Sequence, residues 1–356
     1  MNKATTEFLD LVNARATEAG LFFIGAADFD VSSDFTRFEA WLDEGRHGQM
    51  SWLENHKPVR ANPALLRPGT QNALIFGLEY NLGDRWLRGD LRATPKIAQY
   101  ARLRDYHKAL KDRLEGITAT LVSSRLIGGE TRCAVDSAPL LERALAAKTG
   151  AVFIGKNTCA IHPKRGSFFL IGSILVRFAE GVSIPSAPPI PQDIRGESGG
   201  CGTCKRCQVH CPTNALNQDY VIDARRCLSY WTIEHRGEIP EEFWPWIGRY
   251  VFGCDICQLV CPYNRDLTVS ATAKSLTTQV GQTDLIDVVG MTQGDYERMF
   301  GGTPMTRAKR DGLRRNAIIA LAVRGDSRLK PLLENLHTDP NPVIRATAVA
   351  ALKILV

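Results

Sequence analysis

The 356-residue sequence has no run long and apolar enough to cross a bilayer. Its first residues, Met1-Asn2-Lys3-Ala4-Thr5-Thr6-Glu7, carry neither an apolar signal core nor a twin arginine. Nothing there directs export, so a cytoplasmic protein without a membrane partner is expected. Also missing are the biased compositions of fibrous or disordered chains. With 44% hydrophobic and 23% charged residues the composition is globular, against long disorder, a collagen-like repeat or a coiled coil. This length predicts two or three domains.

What the chain does have is a modest positive charge and many cysteines. The net charge of +6 suits an anionic partner without requiring one. Ten cysteines in a reducing compartment point to metal ligation rather than disulfides. Eight of them lie between Cys201 and Cys261. Cys201-x2-Cys204-x2-Cys207-x3-Cys211-Pro212 matches the bacterial ferredoxin signature for a [4Fe-4S] cluster. The second set reads Cys227, then Cys254-x2-Cys257-x3-Cys261-Pro262, one cysteine standing upstream of an insert. Tight loops let three thiolates converge on one cube, and in two-cluster ferredoxins the cysteine before proline crosses to the other cluster. That rule gives Cys201, Cys204, Cys207 and Cys261 to one cluster and Cys211, Cys227, Cys254 and Cys257 to the other. Structural zinc is the alternative, since Cys-x2-Cys pairs also build four-thiolate sites. Cys133 and Cys159 sit in apolar, strand-like contexts and read as small buried hydrophobes.

Upstream, helical and strand patterns alternate. Phe8, Leu9, Val12 and Ala16 repeat at helical spacing, as does Tyr106 to Leu121. Leu21 to Ala26, Asn72 to Glu79, Thr131 to Val135 and Ser167 to Val176 read as strands. A Pro-rich stretch over 184–199 reads as a linker. The aromatic insert Tyr230 to Phe252 is expected to shield the clusters, and after Arg265 the pattern is helical, ending in a HEAT-like segment. The run Arg307, Lys309, Arg310, Arg314 and Arg315 offers a basic helix face to nucleic acid, or simply a solvated one.

In Val135-Asp136-Ser137-Ala138-Pro139, a strand ends at an acid and a helix is expected to start with proline in its first turn. Asp136 is therefore a candidate for chemistry or a helix N-cap. If it donates a proton, burial must raise its pKa by more than a helix N-terminus lowers it.

Several motifs together are more specific than any one. They are Gly45-Arg46-His47-Gly48-Gln49-Met50-Ser51-Trp52-Leu53, Tyr100-Ala101-Arg102-Leu103-Arg104-Asp105-Tyr106-His107, Val135 to Arg143, Gly155-Lys156-Asn157-Thr158, both cysteine runs, and Asp223 to Tyr230. With them the chain resembles the epoxyqueuosine reductase family, cobalamin-dependent iron–sulfur enzymes of queuosine synthesis on transfer RNA, over nearly its whole length. The resemblance implies an α+β protein: an N-terminal α/β cobalamin-binding and catalytic domain (1–183), the linker (184–199), a ferredoxin-like module with two [4Fe-4S] clusters (200–267) and a HEAT-like tRNA-binding region (268–356). It implies cob(II)alamin with no histidine ligand from the protein, and Asp136 as proton donor in removing the epoxide oxygen. The candidates for holding the corrin are Arg60, Tyr100, Lys156 and Asn157. The implied partners are an epoxyqueuosine-bearing tRNA anticodon stem-loop and a low-potential donor such as flavodoxin or ferredoxin; a monomer is expected. Two departures stand out. Leu103 occupies a position where glycine is common, and Asp105-x-His107-x-x-Leu110 lacks the glycine of a cobalamin Asp-x-His-x-x-Gly motif, which makes His107 structural or substrate-facing. The other readings are a two-cluster electron carrier, a corrinoid-dependent reductase with another substrate, and a nucleic-acid adaptor.

Overall fold

The computed structural model describes residues 2–85, 96–183 and 200–355. The expected linker, 184–199, lies outside the described residues. The first half runs α1 (Lys3–Glu18), β1 (Phe22–Asp28), α2 (Ser32–Asp43), α3 (Lys57–Ala61), β2 (Asn72–Glu79), β3 (Lys96–Ile97), α4 (Tyr106–Ser123), β4 (Arg132–Val135), α5 (Glu142–Lys148), β5 (Phe153–Ile154), β6 (Ala160–Ile161) and β7 (Phe169–Val176). The second half is helical apart from one short strand: α6 (Arg206–Val209), α7 (Trp244–Ile247), β8 (Tyr250–Phe252), α8 (Ile256–Leu259), α9 (Ala271–Leu276), α10 (Leu285–Gly290), α11 (Gln293–Phe300), α12 (Lys309–Val323), α13 (Lys330–Leu336) and α14 (Pro342–Leu355).

The main sheet has the order β1-β2-β7-β4, and every neighbouring pair is antiparallel. This corrects the α/β expectation, since α/β folds are built on parallel strands. The sheet is nevertheless covered on both faces. From β2, Leu74, Phe76 and Leu78 pack with Phe8 and Val12 of α1 and with Leu110 and Leu114 of α4. Ala73 and Ile75 point the other way, towards Leu145 and Ala146 of α5. Burial on both sides turns the two-residue alternation of a strand into one apolar run. Truncating a core side chain such as Phe76 to alanine costs about 3–5 kcal/mol. Where α4 crosses the sheet, a Cβ on Gly172 would stand 2.8 Å from Leu114 Cδ1, so a larger residue there would have to displace the buried Leu114 side chain.

Leu103 has an ordinary φ of −88°. Its buried side chain fills a small cluster with Tyr80, Phe168 and Ala273, so the loop tolerates it without a glycine. Asp105 then caps α4 by accepting the His107 amide at 3.0 Å.

A second core joins the aromatic insert to the tail. Phe243, Trp244, Ile247 and Phe252 pack with Leu313, Ala317 and Ile318 of α12 and with Ile344 and Ala348 of α14. The insert therefore docks the helical end more than it shields the clusters, although Cys254 borders the same core. The expected domain boundaries are also crossed: β3 pairs with β8 in parallel, and the Gln99 amide donates to Asp255 Oδ2 at 2.7 Å. The amides of Arg104 and Asp105 donate to the carbonyls of Leu276 and Gly302. These bonds pin the start of α4 to the second half of the chain.

Candidate functional site

Strand β4 ends at Val135, and the next residue turns into the left-handed region, with Asp136 at φ +48°. Asp and Asn tolerate that conformation better than other side chains. The Asp136 amide donates to Glu142 Oε1 at 3.0 Å. Its carboxylate Oδ2 accepts the Tyr106 hydroxyl at 2.7 Å and faces His107 Nε2 at 3.0 Å. His107 Nδ1 lies 2.8 Å from Asp105 Oδ1. Helix α5 starts only at Glu142, and its N-cap, Leu141, makes no side-chain cap bond. Asp136 is thus no helix cap, and Pro139 does not stand in the first turn. The Asp136 side chain is 60% exposed. Burial is still the largest single influence on its titration, so neighbouring groups crowd the carboxylate although it reaches solvent.

Burial alone would raise the Asp136 pKa, but the bonds from His107 and Tyr106 outweigh it and hold the carboxyl below its ordinary value. This is the reverse of the rise that proton donation was expected to need. His107 moves the other way: its bond to Asp136 raises it, against burial, and Asp105 adds to the rise. Burial, with the Asp136 charge, pushes Glu142 up to about 8. The Arg307 guanidinium, whose charge Asp136 feels, lies 5.2 Å from the ring centre of Trp52, which is 44% exposed. Glu234 holds that guanidinium, taking Nε at 2.9 Å and Nη2 at 3.0 Å. The surroundings of Asp136 therefore combine an exchangeable proton, a part-exposed aromatic ring and a fixed cation.

The eight clustered thiols fall into two sets that feel one another. Burial pushes Cys207 up to about 11 and Cys261 up to about 12; Cys201 and Cys204 add to the first, Cys201 and Cys207 to the second. Burial raises Cys254, with Cys227 and Cys211 adding. A bond with Cys159 and burial raise Cys257, with Cys254 and Cys227 adding. Thiols whose ionisation is opposed by burial and by neighbouring sulfurs, as at Cys207, Cys261, Cys254 and Cys257, belong to donor sets that a cationic core relieves. Cys201, Cys204, Cys207 and Cys261 line one cavity with Lys156, Asn157 and Tyr263. Among the described residues no three His, Cys, Asp or Glu side chains converge on a single-ion site. Amides already point at the sulfurs: Lys156 N lies 3.3 Å from Cys201 Sγ, and Ala215 N 3.3 Å from Cys211 Sγ. Such bonds tune cluster potentials.

The loop 155–159 links the two centres. Its Lys156 amide meets Cys201, Cys159 bonds with Cys257, and the Thr158 carbonyl accepts from Arg143, next to Glu142. Cys159 is thus more than a buried hydrophobe. Cys133, on β4, meets Thr118 Oγ1 at 3.4 Å, in keeping with its apolar reading.

The other candidates divide. Arg60 is buried over the Phe38 ring, with Nε lacking a partner, and feels the Glu142 charge. Tyr100 packs edge-on against Tyr106. The Lys156 ammonium is buried on Asp219 at 3.0 Å, and Asn157 Nδ2 donates to the Cys257 carbonyl at 3.4 Å, so both stand beside the cysteine sets. In the basic run, Arg307 is engaged with Glu234, Lys309 is exposed, and Arg310 bonds to Asp311. Arg314 and Arg315 are corrections, at 6% and 1% exposure. Arg314 pairs with Asp339 at 2.6 Å, and Arg315 donates to the carbonyls of Trp231, His235 and Gly237. Carbonyls left unpaired by the insert draw Arg315 inside. The roles of Tyr106 and Glu142 come only with the fold, which sets the Tyr106 hydroxyl on the Asp136 carboxylate and the Glu142 carboxyl on the Asp136 amide; the one hint in the sequence is that Tyr106 directly precedes His107.

Comparison with known proteins matches residues 60–137 to the family model "Epoxyqueuosine reductase QueG, DUF1730" and residues 200–264 to "4Fe-4S double cluster binding domain". The chain is 34% identical to the epoxyqueuosine reductase of Aliivibrio fischeri over 94% of this chain and 88% of that one. It is 39% identical to that of Escherichia coli over 70% of this chain, and spans 63% of the length of that relative. A solved structure of an epoxyqueuosine reductase with a tRNA-Tyr epoxyqueuosine-modified stem loop superposes with a TM-score of 0.83 at 26% identity, covering 99% of this chain and 91% of that chain.

Proposed function

The chain belongs to the epoxyqueuosine reductase family and carries a two-cluster [4Fe-4S] module, and from that premise we propose that it reduces the epoxide of epoxyqueuosine at the wobble position of tRNA to an alkene. The observation that carries the proposal is the short loop 155–159, which meets both thiol sets and, through Arg143, the helix start whose Glu142 holds Asp136. A pure electron carrier has no use for the Asp136, His107 and Tyr106 cluster. We assign Cys201, Cys204, Cys207 and Cys261 to one cluster and Cys211, Cys227, Cys254 and Cys257 to the other.

The residues near Asp136 have groups that could serve a corrin. Cobalamin carries a rim of amides, and this part of the chain has the orphaned Arg60 Nε–H, whose guanidinium feels the Glu142 charge, and the part-exposed Trp52 ring. When bound, cobalamin supplies a strongly reducing metal centre for breaking carbon–oxygen bonds. Arg60 and Tyr100 would help hold it, and His107 stays with Asp105 and Asp136 rather than serving as a metal ligand. Turnover takes two electrons and two protons, and the epoxide oxygen leaves as water. Asp136 gives a proton to that oxygen as its bond to carbon breaks. Tyr106 fixes the carboxyl, and Glu142 fixes the backbone that aims it.

The wobble base must leave its stack to reach a recessed site. Arg307, Lys309 and Arg310 edge the anionic partner's path, and the helices α12 to α14 are read as HEAT-like support for it. The protein acts as a cytoplasmic monomer fed by flavodoxin or ferredoxin. The test is anaerobic loading with iron, sulfide and cobalamin, followed by mass spectrometry of nucleosides from epoxyqueuosine-bearing tRNA. Queuosine should appear; unchanged epoxyqueuosine beside reducible clusters would overturn the proposal.

A further inference from the structure

His107 is held by carboxylates at both ring nitrogens, Asp105 at 2.8 Å and Asp136 at 3.0 Å. A neutral imidazole has one N–H and one lone pair, so it can satisfy only one of two carboxylates; the other contact needs a second proton. That proton sits either on Nε2, making an imidazolium between two carboxylates, or on Asp136, making a neutral acid beside a neutral ring. The Tyr106 hydroxyl already donates to the same Asp136 oxygen, which stabilises the carboxylate form. The resting arrangement is thus an imidazolium. A carboxylate has no proton to give, and the proposed reaction needs two protons per turnover.

We infer that His107 is the proton store of the site, loading Asp136 through the Nε2···Oδ2 contact while Asp105 holds the ring. The inference rests on the proposed epoxide reduction. The proton passes from Nε2 to Asp136 Oδ2, leaving a neutral imidazole that keeps Nδ1–H on Asp105, and a neutral carboxylic acid. Asp136 gives that proton to the substrate oxygen and returns to carboxylate. His107, 39% exposed at the side chain, regains a proton from solvent. The titration directions agree, with Asp136 held down and His107 raised. The groups facing His107 are Asp105 and Tyr106 on its own segment, Asp136 after β4 and Glu142 at the start of α5, with Arg307 beyond Asp136.

The sign for pH follows. A store with a raised pKa is loaded below its ordinary 6.5 and empties as pH rises through the raised value, so turnover falls on the alkaline side. NMR of the full-length, cluster-loaded protein with 13Cε1-labelled histidine reads the store directly, with His107 assigned by its loss in His107→Gln. The His107 midpoint should stand above 6.5 and drop by about one pH unit or more in Asp136→Asn and in Asp105→Asn. In turnover, Asp105→Asn should move the alkaline limb to lower pH, and His107→Gln should abolish the limb. An ordinary or lowered His107 midpoint, or a limb unchanged in His107→Gln, overturns the inference. Should the wild-type protein make no queuosine, the proposed function fails, while the NMR midpoints still decide whether the proton rests on His107.

Discussion

Replacing Asp136 by asparagine removes the proton-carrying oxygen and the negative charge that faces His107, and leaves the backbone as it is. Asparagine is among the residues that best accept a left-handed backbone, so φ +48° stays available. The backbone N–H still reaches Glu142, and the side-chain carbonyl can still accept the Tyr106 hydroxyl. Because no helix cap is involved, the loss of about 1 kcal/mol that a cap substitution brings is not expected. The carboxylate is also too exposed for its lost charge to weigh heavily on folding. Turnover is another matter. A positioned general acid contributes roughly 10²- to 10⁴-fold, or about 3–5 kcal/mol of barrier. The assay is single-turnover conversion of epoxyqueuosine tRNA under anaerobic conditions, alongside thermal unfolding and stem-loop binding of the same preparations. The expected outcome is a 10²- to 10⁴-fold slower reaction with melting and binding little changed. Near-normal turnover in a less stable protein would refute Asp136 as the acid and make it an architectural residue.

Crossed ligation predicts that Cys211→Ala damages the cluster it would share with Cys227, Cys254 and Cys257, leaving the other intact by electron paramagnetic resonance; metal analysis of the wild type should give about eight irons per chain. Glu142→Gln keeps an acceptor for the Asp136 amide and should retain more activity than Glu142→Ala, which frees a strained turn; equal losses in steady-state rate would show that Glu142 does not position the loop. Arg314→Ala leaves Asp339 buried without its partner and should destabilise by about 3–5 kcal/mol in urea unfolding. Lys309→Ala should leave stability unchanged and lower the salt slope of tRNA binding by about 0.7–0.9 if it meets a phosphate.

Much of the architecture could be read from pattern alone, and the failures have physical causes. Strand β2 and helix α4 emerged cleanly because their apolar runs are long and fully used, and the cysteine sets because thiolate spacing is fixed by the cluster rather than by the fold. The sheet direction did not emerge, since β2 pairs with β7 across about ninety residues and a strand buried on both faces looks alike in parallel and antiparallel sheets. The two-residue β3 and the three-residue β8 are held by partners and carry no periodicity of their own. Helix α5 was placed too early because the turn at Asp136 depends on Glu142, Tyr106 and His107, which only the folded chain brings together. The basic run misled for the opposite reason. Charge was read as surface, whereas Arg314 and Arg315 satisfy an interior carboxylate and interior carbonyls.

The most direct test of the account is cobalamin dependence. One cluster-loaded, anaerobic preparation is divided, cobalamin is added to half, and both halves meet epoxyqueuosine tRNA and a low-potential reductant. If cluster electrons are used through a corrin beside Asp136, nucleoside mass spectrometry will find queuosine, lighter by one oxygen, in the cobalamin half alone. Equal conversion in both halves, or none in either while the clusters are reduced, would contradict it.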